Sequence, residues 1–238
     1  MQIALVNKST KLRASDMLAI CNALNVQMRQ HACPAWGVEP ASVVVATTEQ
    51  KAPAGSKLLI AFDNADTAGA LGYHDETPQG VVYGRVFANP TLQYNGGRIL
   101  QGPLSLASVF SHEALELWRD QHCNEWAQGP DGTLYAIELS DPVENDGYDI
   151  VVGTQHVTVS NFVLPAWFDA TPPAGSRYDY LGKLSRHFSM TAGGYMIRQT
   201  GGRISEVYGA HYPEWKKPGK QHPAARTSRR QVRQSSAA

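Results

Sequence analysis

The feature that most limits how this chain can fold is a run from about Ser105 to Trp126 that contains neither Pro nor Gly. Leu104, Ala107, Ser108, Leu115, Leu117 and Trp118 recur along it at roughly helical spacing, which predicts the longest helix of the chain. Its centre reads Ser111-His112-Glu113-Ala114-Leu115-Glu116-Leu117-Trp118-Arg119-Asp120. Side chains four apart share one face of a helix, separated by roughly 6 Å along the axis. His112 and Glu116 therefore point the same way, a workable spacing for two ligands of one metal ion. Glu113 projects beside them, where a general base for a metal-bound water has to stand. The pattern is H-E-x-x-H with Glu116 in place of the second His. Zinc accepts carboxylate oxygen as well as imidazole nitrogen, but a second carboxylate makes the bound water a weaker acid. Hard oxygen ligands also widen the choice of ion toward Mn, Fe or Ca. The same ten residues equally describe a solvated helix face, on which Arg119 and Asp120 are ordinary surface neighbours of Glu116.

A metal held by His112 and Glu116 needs a further protein ligand from outside that turn of helix. Asp120 lies roughly 12 Å farther up a regular helix than His112, which suits a supporting partner or a helix-to-loop anchor. After the turn Gln128-Gly129-Pro130-Asp131-Gly132, the alternating stretch Leu134 to Leu139 reads as a strand, followed by Ser140-Asp141-Pro142-Val143-Glu144. Glu138 or Asp141, arriving on this next element, could complete the metal site; alternatively both end a strand and cap a turn.

The rest of the chain suggests an α+β fold. Gln2 to Val6 reads as a first strand, and Ala14-Ser15-Asp16 offers a cap before an amphipathic helix that runs to about His31. Short strands follow at Val43–Ala46 and Lys57–Phe62, so a twisted mixed sheet with the first helix packed on it is expected. Ala70–His74 and Val81–Phe87 read as extended pieces around a polar turn. His74 and Asp75 are either polar groups of that turn or residues of a metal or substrate site. Tyr148 to Val159 and Gly193 to Gly202 read as hairpins, and the aromatic stretch Ser160 to Asp169 as a packed loop or a cleft wall.

Lys plus Arg and Asp plus Glu each number 21 among 238 residues, so no overall charge points to nucleic acid or membrane. The three cysteines form no metal-binding spacing, and their odd number argues against a disulfide framework. There is no signal-peptide pattern and no apolar run long enough to span a bilayer, which leads us to expect a cytoplasmic protein. We divide the chain into a domain over 1–212, with its sheet and main helices in 1–127 and a strand- and loop-rich part in 128–212, and a basic tail over 213–238. The tail carries Lys and Arg among Gly, Pro, Ser and Gln, too little apolar surface to order itself.

Four stretches together resemble a family of zincin-like, metallopeptidase-like proteins of bacteria and their phages. They are Leu71-Gly72-Tyr73-His74-Asp75, Ser111-His112-Glu113-x-x-Glu116-x-x-x-Asp120, Glu138-x-x-Asp141-Pro142-Val143-Glu144 and Val159-Ser160-Asn161-Phe162-x-x-Pro165-Ala166-Trp167-Phe168. The resemblance covers roughly Leu58 to Tyr195. It implies a divalent metal, zinc first, with Glu113 as general base, and His74 or Tyr73 beside the reacting carbonyl. It also implies an edge strand next to the active-site helix that pairs with an extended peptide or protein substrate, and Val81–Phe87 stands in place for it. The chain lacks the H-E-x-x-H-x-x-G-x-x-H continuation, so a downstream ligand has to be acidic. The alternative is a structural protein of a phage virion on the same scaffold, its tail binding a neighbouring subunit or nucleic acid. Nucleic-acid binding as the main task fits less well, because the tail's basic residues are not interleaved with aromatic ones.

Overall fold

Gln2–Asn7 (β1), Ser42–Ala46 (β2), Lys57–Phe62 (β3), Gly72–Glu76 (β4) and Val82–Phe87 (β5) form one sheet in the order β2-β1-β3-β5-β4. The structure is a computed structural model and describes residues 1–217, so most of the basic tail lies outside the described residues. β1, β2, β3 and β5 run parallel, and β4 is antiparallel. Strand composition accounts for the order. β1 is an apolar run whose Ile3, Ala4, Leu5 and Val6 are all buried, as a parallel strand covered on both faces requires. β4, which reads Gly-Tyr-His-Asp-Glu, takes the edge. This corrects the expectation for Val81–Phe87: β5 is hydrogen-bonded to β3 on one side and β4 on the other, so the edge strand is Gly72–Glu76. The polar turn lies at Thr77–Gly80, and His74 and Asp75 sit buried in the strand before it.

The helices are Ala14–Val26 (α1), Cys33–Trp36 (α2), Ala88–Asn95 (α3) and Leu106–Arg119 (α4), with a π-helical turn, Gln27–Ala32, joining α1 to α2. The remaining strands are Trp126–Gln128 (β6), Leu134–Ala136 (β7), Gly147–Val152 (β8), Gln155–Ser160 (β9), Tyr195–Thr200 (β10) and Arg203–Tyr208 (β11). β8 and β9 form a hairpin, and β11-β10-β7-β6 an antiparallel sheet. None of the helices among the described residues is long and apolar enough to cross a membrane.

α4 starts where Ser105 caps it, its hydroxyl accepting from the Ser108 amide at 3.1 Å. It ends earlier than its sequence suggests. The Asp120 carboxylate accepts the amides of Asn124 and Glu125, each at 3.0 Å, and folds the chain back so that Trp126 enters β6. Strands β3, β4 and β5, helix α1 and strand β9 all pack against α4. Every residue from Leu106 to Trp118 is buried as a result, which overturns the solvated-face reading of this helix. Its polar side chains therefore need partners inside the protein.

Ser111 finds its partners locally. Its hydroxyl donates to Gln27 Oε1 at 2.7 Å and accepts the Ser160 amide at 2.9 Å, while Gln27 Nε2 donates to the Ser160 carbonyl at 2.9 Å. The π-helical turn presents Gln27, fully buried, to this network. We expect Ser111→Ala to orphan the Ser160 amide and Gln27 Oε1. The cost is about 1–3 kcal/mol for a buried group left unsatisfied, readable as a lower midpoint in chemical denaturation with an unchanged slope.

Candidate metal centre

One turn beyond Ser111, the polar face of α4 meets two other elements. The 3₁₀ turn Asp141–Val143 brings in Asp141, and β4 brings in His74. His112 Nε2 lies 3.1 Å from Glu116 Oε1 and 3.1 Å from Asp141 Oδ1. His74 Nδ1 lies 3.5 Å from Glu116 Oε2 and 3.8 Å from Glu113 Oε2. Two groups thus have the composition and spacing to hold a cation: His112, Glu116 and Asp141, and His74, Glu113 and Glu116. Glu116 belongs to both, presenting one oxygen to each imidazole.

The positioning of each side chain can be traced. The helical repeat aligns His112 with Glu116. Asp141 is placed by a turn with Pro142 in its first helical turn, and the Ser140 amide before it donates to Glu116 Oε1 at 3.3 Å. The start of β10 closes on that turn: a Cβ on Gly194 would stand 2.2 Å from the Pro142 carbonyl oxygen, so only glycine allows the approach. His74 is oriented from behind by Nε2, which donates to the Asp120 carbonyl at 3.2 Å. Asp120 thereby steers His74 with its backbone and closes the helix-to-loop turn with its side chain. Glu138 is buried just before this turn but belongs to neither group.

Burial sets the electrostatics. It favours the neutral acid at Glu116, yet His112 and His74 outweigh it and hold this carboxyl well below its ordinary range. For His112, burial opposes the charged form, but Glu116, Asp141 and Glu113 prevail and raise the imidazole well above its usual value. For His74, burial likewise pushes down, while Cys123, Glu113 and Glu116 lift it well above. The cluster therefore draws positive charge strongly, as a proton or as a metal cation.

Two of the cluster's residues, His112 and Glu113, line a cleft of about 100 Å³. Gly72 and Tyr73 of β4 line it too, as do Tyr195, Tyr208 and Tyr212 from the β10–β11 region. A Cβ on Gly72 would lie 2.8 Å from Glu113 Oε1, so the missing side chain is what lets Glu113 stand against β4. Tyr73 commits its hydroxyl to Asp66 at 2.9 Å, and burial raises its phenol above the ordinary value. Lys216, from the 3₁₀ turn Glu214–Lys216, reaches into the cleft and pairs with buried Glu144. The three tyrosines and this Lys216 strap carry no signal in the sequence: scattered tyrosines and one lysine of a basic segment look like any others. Comparison with protein-family models, curated proteins and solved structures finds no match for the chain.

Proposed function

We propose that this protein is a metal-dependent hydrolase on a zincin-like scaffold, cleaving a peptide bond beside a divalent cation held by His112, Glu116 and Asp141. The observation that supports it is the pair of 3.1 Å approaches of two buried carboxylate oxygens to His112 Nε2, with Glu113 lining the adjoining cleft. Ligand atoms of one cation, at about 2.0–2.2 Å from it, stand about 3.0–3.5 Å apart, so the donor set fits such an ion. Mixed imidazole and carboxylate donors suit zinc, manganese or iron. When bound, the cation supplies Lewis acidity toward a carbonyl and lowers the pKa of water.

The chain's own residues supply the rest. Glu113 Oε1, facing Gly72 in the cleft, takes the proton from the attacking water. The Tyr73 hydroxyl is committed to Asp66, and His74 turns Nε2 to the Asp120 carbonyl and Nδ1 to Glu113 and Glu116, so their part is to hold the site rather than to donate to an oxyanion. An extended substrate can pair with β4 only at its Gly72–Tyr73 end. Farther along, Cys123 Sγ donates to the His74 carbonyl and His122 lies 3.0 Å from Glu76 Oε1, so the helix-to-loop segment covers that edge. Zinc, as the first candidate, and a peptide substrate follow from the resemblance and the cleft together.

The test is Glu113→Gln in the metal-loaded protein. We expect the His112 site to keep its cation while hydrolysis of a peptide library falls by about 10²–10⁴-fold, the usual worth of a general base. Unchanged hydrolysis would remove Glu113 from the chemistry. The depth of both groups and the Lys216 strap support a second reading, a metal-braced structural protein that assembles with neighbouring subunits. Stoichiometric metal without hydrolysis of any library peptide would select it.

A further inference from the structure

We infer that the cluster binds a second divalent cation, between His74 Nδ1, Glu113 Oε2 and Glu116 Oε2, with Glu116 bridging it to the first. The inference rests on the reading that His112, Glu116 and Asp141 hold a cation, and it adds a paired centre to that reading.

Four observations carry it. His74 Nδ1 lies 3.8 Å from Glu113 Oε2 and 3.5 Å from Glu116 Oε2, and the three side chains, 1%, 3% and 0% exposed, each offer a ligand atom within 4.8 Å of the others. Each of these three named atoms lacks a hydrogen-bond partner among the described residues. The ring orientation of His74 is decided elsewhere: a carbonyl oxygen only accepts, so the Nε2 facing Asp120 carries its hydrogen. When His74 is neutral, the lone pair of Nδ1 faces two carboxylate oxygens, three acceptors converging with no donor between them. Such an arrangement is repulsive in a buried site unless a positive centre is shared among the three. Finally, Glu116 divides its oxygens, Oε1 at 3.1 Å from His112 and Oε2 at 3.5 Å from His74.

A carboxylate used in this way is a bridge. Paired centres in hydrolytic sites stand about 3.5–4 Å apart, and inward-facing Glu and His side chains on packed elements build them. Each half here would offer one imidazole and two carboxylates, a set that favours manganese, iron or zinc over magnesium or calcium. Glu113 would engage the second cation through Oε2 and keep Oε1, on the Gly72 side, for the cleft. A proton on His74 Nδ1 is the competing occupant, and stoichiometry separates the two.

The experiment uses the full chain, stripped with a chelator, loaded with Mn(II), desalted, and read by elemental mass spectrometry and electron paramagnetic resonance. We expect about two Mn per chain with an exchange-coupled spectrum. His74→Gln should bind about half as much metal and show the hyperfine pattern of isolated Mn(II), while His112 keeps its own cation. One Mn per chain in the wild type, or equal stoichiometry in wild type and His74→Gln, overturns the second site and leaves the first reading standing. No bound Mn in the wild type overturns both. Should His74→Gln fail to fold, the titration of the wild type decides alone: a coupled spectrum appearing with the second equivalent supports the pair, and its absence at saturation rejects it.

Discussion

Glu116→Gln should take the bound cation to background and lower the melting temperature of the metal-free protein as well. Both effects have one cause: a single carboxylate faces both buried imidazoles, at 3.1 Å and 3.5 Å, and belongs to both candidate groups. An amide keeps the shape but loses the charge that draws a proton or a metal to either ring. Removing one partner of a buried charged pair costs about 3–5 kcal/mol, roughly 6–20 °C for a chain of this size. Elemental analysis and calorimetry near pH 6, where both imidazoles of the metal-free protein are charged, read the two effects together. Glu138→Gln is the control, since Glu138 is buried beside the turn but lies in neither group. If the control loses its metal and Asp141→Asn keeps it, the downstream ligand is Glu138 and the assignment of Asp141 is wrong.

The second large effect is a pH dependence that reverses sign when metal is supplied. In the metal-free protein the imidazoles of His74 and His112 are held well above their ordinary value, and the Glu116 carboxyl well below its own. A raised imidazole stabilises the fold fully below its unfolded pKa, about 6.5, and that contribution is lost as pH rises through the folded value. A depressed carboxyl stabilises above its unfolded pKa, about 4.3, and its contribution disappears as pH falls through the folded value. Metal-free stability should therefore be greatest between about pH 4.5 and 6.5 and decline above it. A cation needs the same rings deprotonated, so its affinity should rise by up to about tenfold per pH unit for each proton displaced, and its stabilisation with it. Melting temperatures measured from pH 5 to 9, with chelator and with zinc or manganese, should diverge steadily. Parallel curves would mean that the cluster binds protons but not metal.

The helix α4, its His112–Glu116 pair and most strands of the main sheet were legible in the sequence because they depend on local periodicity. A repeat of 3.6 places residues four apart on one face whatever surrounds the helix, and apolar runs of five or six residues suit parallel strands. The point at which α4 stops was not legible. It depends on the Asp120 side chain taking amides from the loop ahead, where composition alone would continue the helix to Trp126. The edge position of Gly72–Glu76 was also hidden, because strand order is set by which partner β3 accepts, and pairing across a sheet leaves no trace in either strand's spacing.

The site divides along the same line. His112, Glu113 and Glu116 could be placed together from their numbers alone. Only tertiary structure brings Asp141, 29 residues away, to His112, and sets His74 against the other oxygen of Glu116. It also decides that a helix rich in charged groups is buried all round, and burial is what turns an ordinary pair of Glu and His into a centre that could hold a cation. The chain's local pattern thus determines which side chains share a helical face. Whether that face meets water or a second set of ligands is determined by the packing of the sheet, the hairpin and the Asp141 turn around it, since the cost of a buried charge depends on its whole surroundings and not on its neighbours in sequence.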